Sequence, residues 1–232
     1  MKWLLSLACV AGCLAVPARA EDVSVLVERL KSPDSDMRRE AAKELGDLGP
    51  QALPAVPELV QALRDSDLFV RRFAAQALGA IGPDARQALP ALKGALKDGK
   101  KEVAAAVGTA LGKLGSAGIA TLSDLVKDKK QDADVRKAAI AGLGSAGAQA
   151  REAVPVLVDV LKDTGAKKPE PKKDPGAPDL RVEAAVALGD IGPDARDAVP
   201  TLQDLAGAKG KSPLKSAAND ALKRITGQGA KK

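Results

Sequence analysis

The 232-residue chain has no histidine, no tyrosine, one tryptophan, two phenylalanines and two cysteines. Each shortage closes a route. Without histidine there is no His-based triad, no imidazole metal ligand and no ordinary general base near neutral pH. Hydrophobic residues make up 45% of the chain but aromatics only 1%. Such a core must be assembled from Ala, Leu and Val, which suits closely spaced helices. Neither sign of charge dominates, with 36 basic against 30 acidic residues and a formal charge of +6.

The long uninterrupted apolar run opens the chain. Residues 1–20 read MKWLLSLACVAGCLAVPARA, with a charged start at Lys2, an apolar stretch from Trp3 to Val16, Pro17, and a small-residue close at Ala18-Arg19-Ala20. These are the three parts of a cleavable signal peptide, too short for a spanning helix. The expectation is export to a periplasmic or extracellular compartment. Cleavage after Ala20 would remove Trp3, leaving a chain nearly silent at 280 nm. Both cysteines, Cys9 and Cys13, lie in this leader, so the mature chain is expected to hold no thiol and no disulfide. The minor alternative is a lipoprotein: Val10-Ala11-Gly12-Cys13 resembles a lipobox that would retain Cys13 as the first residue.

What remains is repetition, the feature to test before any other. Asp67–Gly82 reads DLFVRRFAAQALGAIG, and near-copies run from Asp34 to Gly49, Asp132 to Gly147 and Ala177 to Gly192. Weaker copies span Lys100–Gly115 and Lys211–Gly227. Each is preceded by a shorter apolar stripe, marked by Leu26, Leu59, Leu92, Leu122, Leu157 and Leu202, at spacings of 33, 33, 30, 35 and 45. Val23, Leu26, Val27 and Leu30 show the 0, 3, 4, 7 pattern of one helix face. Prolines 57, 90, 155 and 200 fall in a helix's first turn, where no backbone donor is needed. The closing glycines suit helix ends. A helical pair repeated every 33 residues or so buries its faces only by stacking, which predicts an all-α solenoid of about six pairs over 21–227. The spacing of 45 contains a Pro-, Lys- and Gly-rich insertion at 164–179, read as a solvated loop. The last five residues, 228–232, read as a disordered tail.

The pattern D-x-x-V-R-x-x-A-A-x-A-L-G-x-I-G, preceded by V-P-x-L-x-x-x-L, resembles the HEAT repeat, in particular the bacterial phycobilisome-lyase HEAT-like type. The resemblance implies a right-handed superhelix with the second helix of each pair on the concave side. It also implies a structural ladder between repeats from the Asp position (Asp34, Asp67, Asp132) and the Arg position (Arg38, Arg71, Arg136, Arg181). Repeat three departs from it, with Lys100 and Ala104 at those positions. Gly108 costs its helix about 1 kcal/mol relative to Ala. A softer joint is expected over Lys100–Gly115.

No catalytic, cofactor-binding or metal-binding constellation stands out. The acidic residues occupy repeated cap positions or polar faces, and the Leu-Gly-x-[Leu/Ile]-Gly segments close helices, so their carbonyl ends repel phosphate. The lyase name of the repeat type transfers no site residue. Nucleic-acid binding is disfavoured: Arg38-Arg39, Arg71-Arg72 and Arg136-Lys137 suggest a basic stripe, but acids interrupt it and stacking aromatics are scarce. The individual feature is Phe69, Arg72 and Phe73, a candidate anchor for a protein partner, with simple local packing as the plainer reading. The functional expectation is a non-catalytic protein-binding scaffold outside the cytoplasm, with an accessory or regulatory subunit of an enzyme, a remote lyase-like relative, as the alternative.

Overall fold

A computed structural model describes residues 20–163 and 179–227. The expected leader (but for Ala20), almost all of the expected 164–179 loop and the 228–232 tail lie outside them. Among the described residues there are twelve α-helices and no strand. They are α1 (Ala20–Arg29), α2 (Ser35–Leu48), α3 (Val56–Ala62), α4 (Leu68–Ile81), α5 (Leu89–Ala95), α6 (Lys101–Lys113), α7 (Ser116–Lys127), α8 (Ala133–Ser145), α9 (Val154–Lys162), α10 (Leu180–Ile191), α11 (Val199–Gly207) and α12 (Pro213–Thr226). They form six successive pairs, an α-solenoid. None is long and apolar enough to cross a membrane.

The even-numbered helices pack directly on one another in series, α2 on α4, α4 on α6, and so to α12. The odd-numbered helices scarcely meet. Their layer is filled out by four 3₁₀ segments, Gly49–Ala55, Gly82–Ala88, Gly147–Ala153 and Gly192–Ala198. A tight layer beside a padded one puts the even helices on the inner side of any curvature.

These connecting segments are part of the core. Ala52 and Ala55, Ala85 and Ala88, Ala150 and Ala153, and Ala195 and Ala198 are all buried. The two alanines of each segment stand three residues apart, a spacing present in the sequence, and in three segments the first of them (Ala85, Ala150, Ala195) is the kink between two short turns. The spacing of 30 also has its reason here. Repeat four lacks this segment, and α7 starts directly after Gly115. It lies so close to α6 that a β-carbon on Gly118 would meet the Leu111 carbonyl oxygen at 1.8 Å.

The repeated leucines do what their spacing predicts: Leu59, Leu92, Leu122, Leu157 and Leu202 are fully buried, and Leu26 nearly so. Each such side chain contributes roughly 1.5–3 kcal/mol relative to exposure. The paired glycines divide their work. The second ends the helix: Gly82 has φ 82°, ψ −150° and Gly192 φ 75°, ψ −142°, a glycine-only region rather than the left-handed helical one. The first permits close contact between repeats. A β-carbon on Gly79 would stand 2.8 Å from Cα of Ala110, and one on Gly189 3.0 Å from Cα of Ala221.

Candidate functional site

The charged residues expected to form one ladder fall into two sets. Asp34, Asp67 and Asp132 are N-caps of α2, α4 and α8, and their carboxylates accept backbone N–H groups of their own helices. Asp34 accepts from Asp36 at 2.9 Å and Asp132 from Asp134 at 2.8 Å. The partner of the arginine position is a different acid, two residues upstream of the cap. Arg38 donates Nε to Asp65 Oδ2 at 2.7 Å and Nη2 to Oδ1 at 2.9 Å, while Nη1 bonds the Ser32 and Pro33 carbonyls. Arg71 repeats the arrangement with Asp98 (Nε to Oδ2, 2.6 Å) and the carbonyls of Asp65 and Ser66. The expected pairing of Asp34, Asp67 and Asp132 with Arg38, Arg71 and Arg136 is therefore corrected. Each cap carboxylate holds the first amides of its own helix, whereas Arg38 and Arg71 reach the acid at the start of the next repeat's turn.

These rungs are sheltered, with side-chain exposure of 13–15% for both arginines and both acids. One guanidinium fork thereby ties a helix start to its own turn and to the next repeat. Two such rungs stand among the described residues. Arg136 donates to the Val126 carbonyl at 3.1 Å, and Arg181 lies 3.6 Å from its own cap residue Asp179.

Asp67 has a second role, accepting from Arg39 Nε at 2.9 Å as well as from the Phe69 and Val70 amides. The Arg39 bond, opposed by burial and aided by those two amides, holds the Asp67 carboxyl far below the usual range. For Asp65, burial pushes upward, but the Arg38 bond, the Asp67 amide and the Arg38 charge together carry it lower. Both are carboxylates at neutral pH.

Arg39 also leads into the aromatic cluster. Its guanidinium carbon lies 5.1 Å from the Phe69 ring centre, and that of Arg72 lies 5.4 Å from Phe69 and 4.9 Å from Phe73. Arg39, Phe69, Arg72 and Phe73 thus form one alternating cation–π stack across α2 and α4. Phe73 is half-buried against the core and borders a groove of about 380 Å³ between α2, α4 and α6. Phe69 remains 39% exposed. Arg72 Nε is buried without a hydrogen-bond partner. The sequence placed the two rings on one face. It gave no sign of Arg39, which arrives from the neighbouring repeat.

The supposed basic stripe is largely neutralised. Arg38 and Arg39 are paired with Asp65 and Asp67, Arg71 with Asp98, and Lys137 with Glu183 at 2.8 Å. Among the described residues no group of three or more acidic, His or Cys side chains could hold a metal.

The profile of HEAT repeats matches residues 23–107 and 89–168, and that of the PBS lyase HEAT-like repeat matches 180–207. The chain belongs to the HEAT-repeat family. No curated protein matches it in sequence. Among solved structures, this HEAT-repeat chain is similar to an engineered protein (26% identity, covering 89% of this chain and 97% of that one, TM-score 0.46). It is also similar to a designed armadillo repeat protein (20%, 88% and 99%, TM-score 0.47). A third is the karyopherin Kap121p, bound to the extreme C-terminus of the protein phosphatase Cdc14p (18%, 91% and 26%, TM-score 0.49).

Proposed function

We propose that this HEAT-repeat chain is an exported, non-catalytic scaffold that binds a protein partner along its even-helix face. The observation that carries the reading is the Arg39–Phe69–Arg72–Phe73 stack. A half-exposed aromatic and two arginines are held in register by the packing of two repeats. Aromatic and arginine side chains carry much of the energy of protein interfaces, and a preset geometry lowers the ordering cost of binding. The neutralised arginine pairs favour a protein partner over nucleic acid, since phosphate binding draws on uncompensated cations. The leader-like first 20 residues support export, to a periplasmic or extracellular compartment.

The test places a photo-crosslinking residue at Phe69 in the full chain, expressed in a host that exports it. The reading expects a discrete protein adduct in the exported fraction, N-terminal sequence beginning at Glu21, and loss of the adduct in Phe73→Ala and Arg72→Ala while both still unfold cooperatively, Phe73→Ala at a lower temperature because its ring packs against the core. Undiminished capture by both variants would overturn it.

A further inference from the structure

Asp65, Asp98 and Asp128 occupy the same place in three successive repeats, six residues after Leu59, Leu92 and Leu122. All three begin their turn identically. Oδ1 accepts the amide two residues on, at 2.8 Å from Asp67, 2.8 Å from Lys100 and 3.0 Å from Lys130. In the first two copies the preceding repeat supplies an arginine, Arg38 or Arg71. In the third the corresponding residue is Ala104. The carbonyls of Asp98 and Gly99, counterparts of those that accept from Arg38 and Arg71, receive no side-chain donor among the described residues. Among the described residues Asp128 Oδ2 accepts one neutral donor, Gln131 Nε2 at 3.0 Å, and Asp128 is exposed where Asp65 and Asp98 are sheltered. Where the guanidinium would lie there is instead a groove of about 740 Å³ between α6 and α8. Leu96, Ala104, Val135 and Ala138 line its apolar walls, with Asp98, Gly99 and Gln131 at its polar edge.

We propose that this groove accepts an arginine side chain carried by a protein partner. The apolar walls suit the arginine's methylenes, and the Asp98 and Gly99 carbonyls at the groove, with the Asp128 carboxylate at the adjoining turn, are the counterparts of the acceptors that hold the guanidinium in the two occupied copies. An ammonium is a point donor and cannot reach both edges at once, so the site discriminates against lysine. Lys97, Lys101, Lys130 and Lys137 also border the groove, with Asp132 and Asp134, and this mixed lining suits a single arginine rather than a polybasic segment. The inference goes beyond the scaffold reading and draws nothing from the Phe69 cluster, so either can fail alone.

The experiment is an NMR titration of the full chain with acetyl-Gly-Arg-Glu-amide and, separately, its lysine counterpart. The arginine peptide is expected to give saturable shifts at the Gly99 and Lys130 amides and the Gln131 side chain, with the lysine peptide weaker by roughly tenfold or more. Ala104→Arg should abolish the response and raise the melting temperature by about 2–4 °C, as its own side chain fills the site. Asp128→Asn should weaken binding without filling the groove, and it carries the test if Ala104→Arg fails to fold. Absent shifts, an equal response to lysine, or undiminished binding in a folded variant would overturn the proposal.

Discussion

The α4–α6 and α6–α8 joints solve one problem in different ways. Between α4 and α6 the contact is clasped at both ends, by the Arg71–Asp98 rung at the start of α4 and by Gly79 against Ala110 near its end. Between α6 and α8 the rung is missing, and α6 begins at Lys100 without a side-chain cap, whereas α2, α4, α8 and α10 are each capped by Asp. The deficit is met further along. A β-carbon on Gly108 would stand 2.4 Å from the Ala138 carbonyl oxygen, and one on Gly142 2.4 Å from that of Gly108. Polar clasps tolerate a loose backbone spacing, whereas a glycine contact demands a close one and leaves the helix start open. A stack can therefore be uniform in outline and uneven in how its joints are held.

The largest expected effect comes from giving the α4–α6 joint the defect that α6–α8 already has. Arg71→Ala leaves the Asp98 carboxylate and two carbonyls without their sheltered donor, and should cost about 2–3 kcal/mol in urea unfolding. Gly108→Ala comes next and reverses sign between two arguments. Helix propensity alone predicts a gain of about 1 kcal/mol. The carbonyl contact imposes overpacking of about 1–3 kcal/mol, and backbone cannot step aside as a side chain can. Net destabilisation is expected, and a raised urea midpoint would show that the close α6–α8 contact is wrong.

Acid should weaken the α2–α4 joint. Asp65 and Asp67 are both held lower in the folded chain than in the unfolded one, so the unfolded state binds more protons as pH falls. Their stabilisation is complete above the unfolded carboxyl value near 4 and is lost progressively below it. The expectation is that amides around the α2–α4 joint lose protection below about pH 4 as these two carboxylates take up protons, measured by exchange at stepped pH. The smallest effect is a gain. Lys100→Asp should restore the missing cap and stabilise by about 0.5–1 kcal/mol, read as a shifted thermal midpoint.

Much of this was legible in the chain because the repeats report on one another. The period, the buried leucines, the capping glycines and the pairing of helices all follow from self-similarity. The departure at Lys100 and Ala104 was visible for the same reason. Three things were hidden. The acid of each rung lies two residues before the cap position, and only three-dimensional placement shows that it meets the arginine of the preceding repeat. Gly108 read as a weak helix position because its neighbour, Ala138, is distant in sequence. Arg39 joins the aromatic pair across a repeat boundary for which the pattern has no symbol.

The expected soft joint over Lys100–Gly115 now acquires a direction. The start of α6 lacks both cap and rung and borders the open groove, while its second half is locked by Gly108 and Gly112 against α8. Residue-resolved hydrogen exchange through α6 tests this most directly. The uneven-joint account predicts weak protection over the first turns, to about Ala106, and strong protection from Val107 to Lys113. Uniform protection from one end of α6 to the other would contradict it.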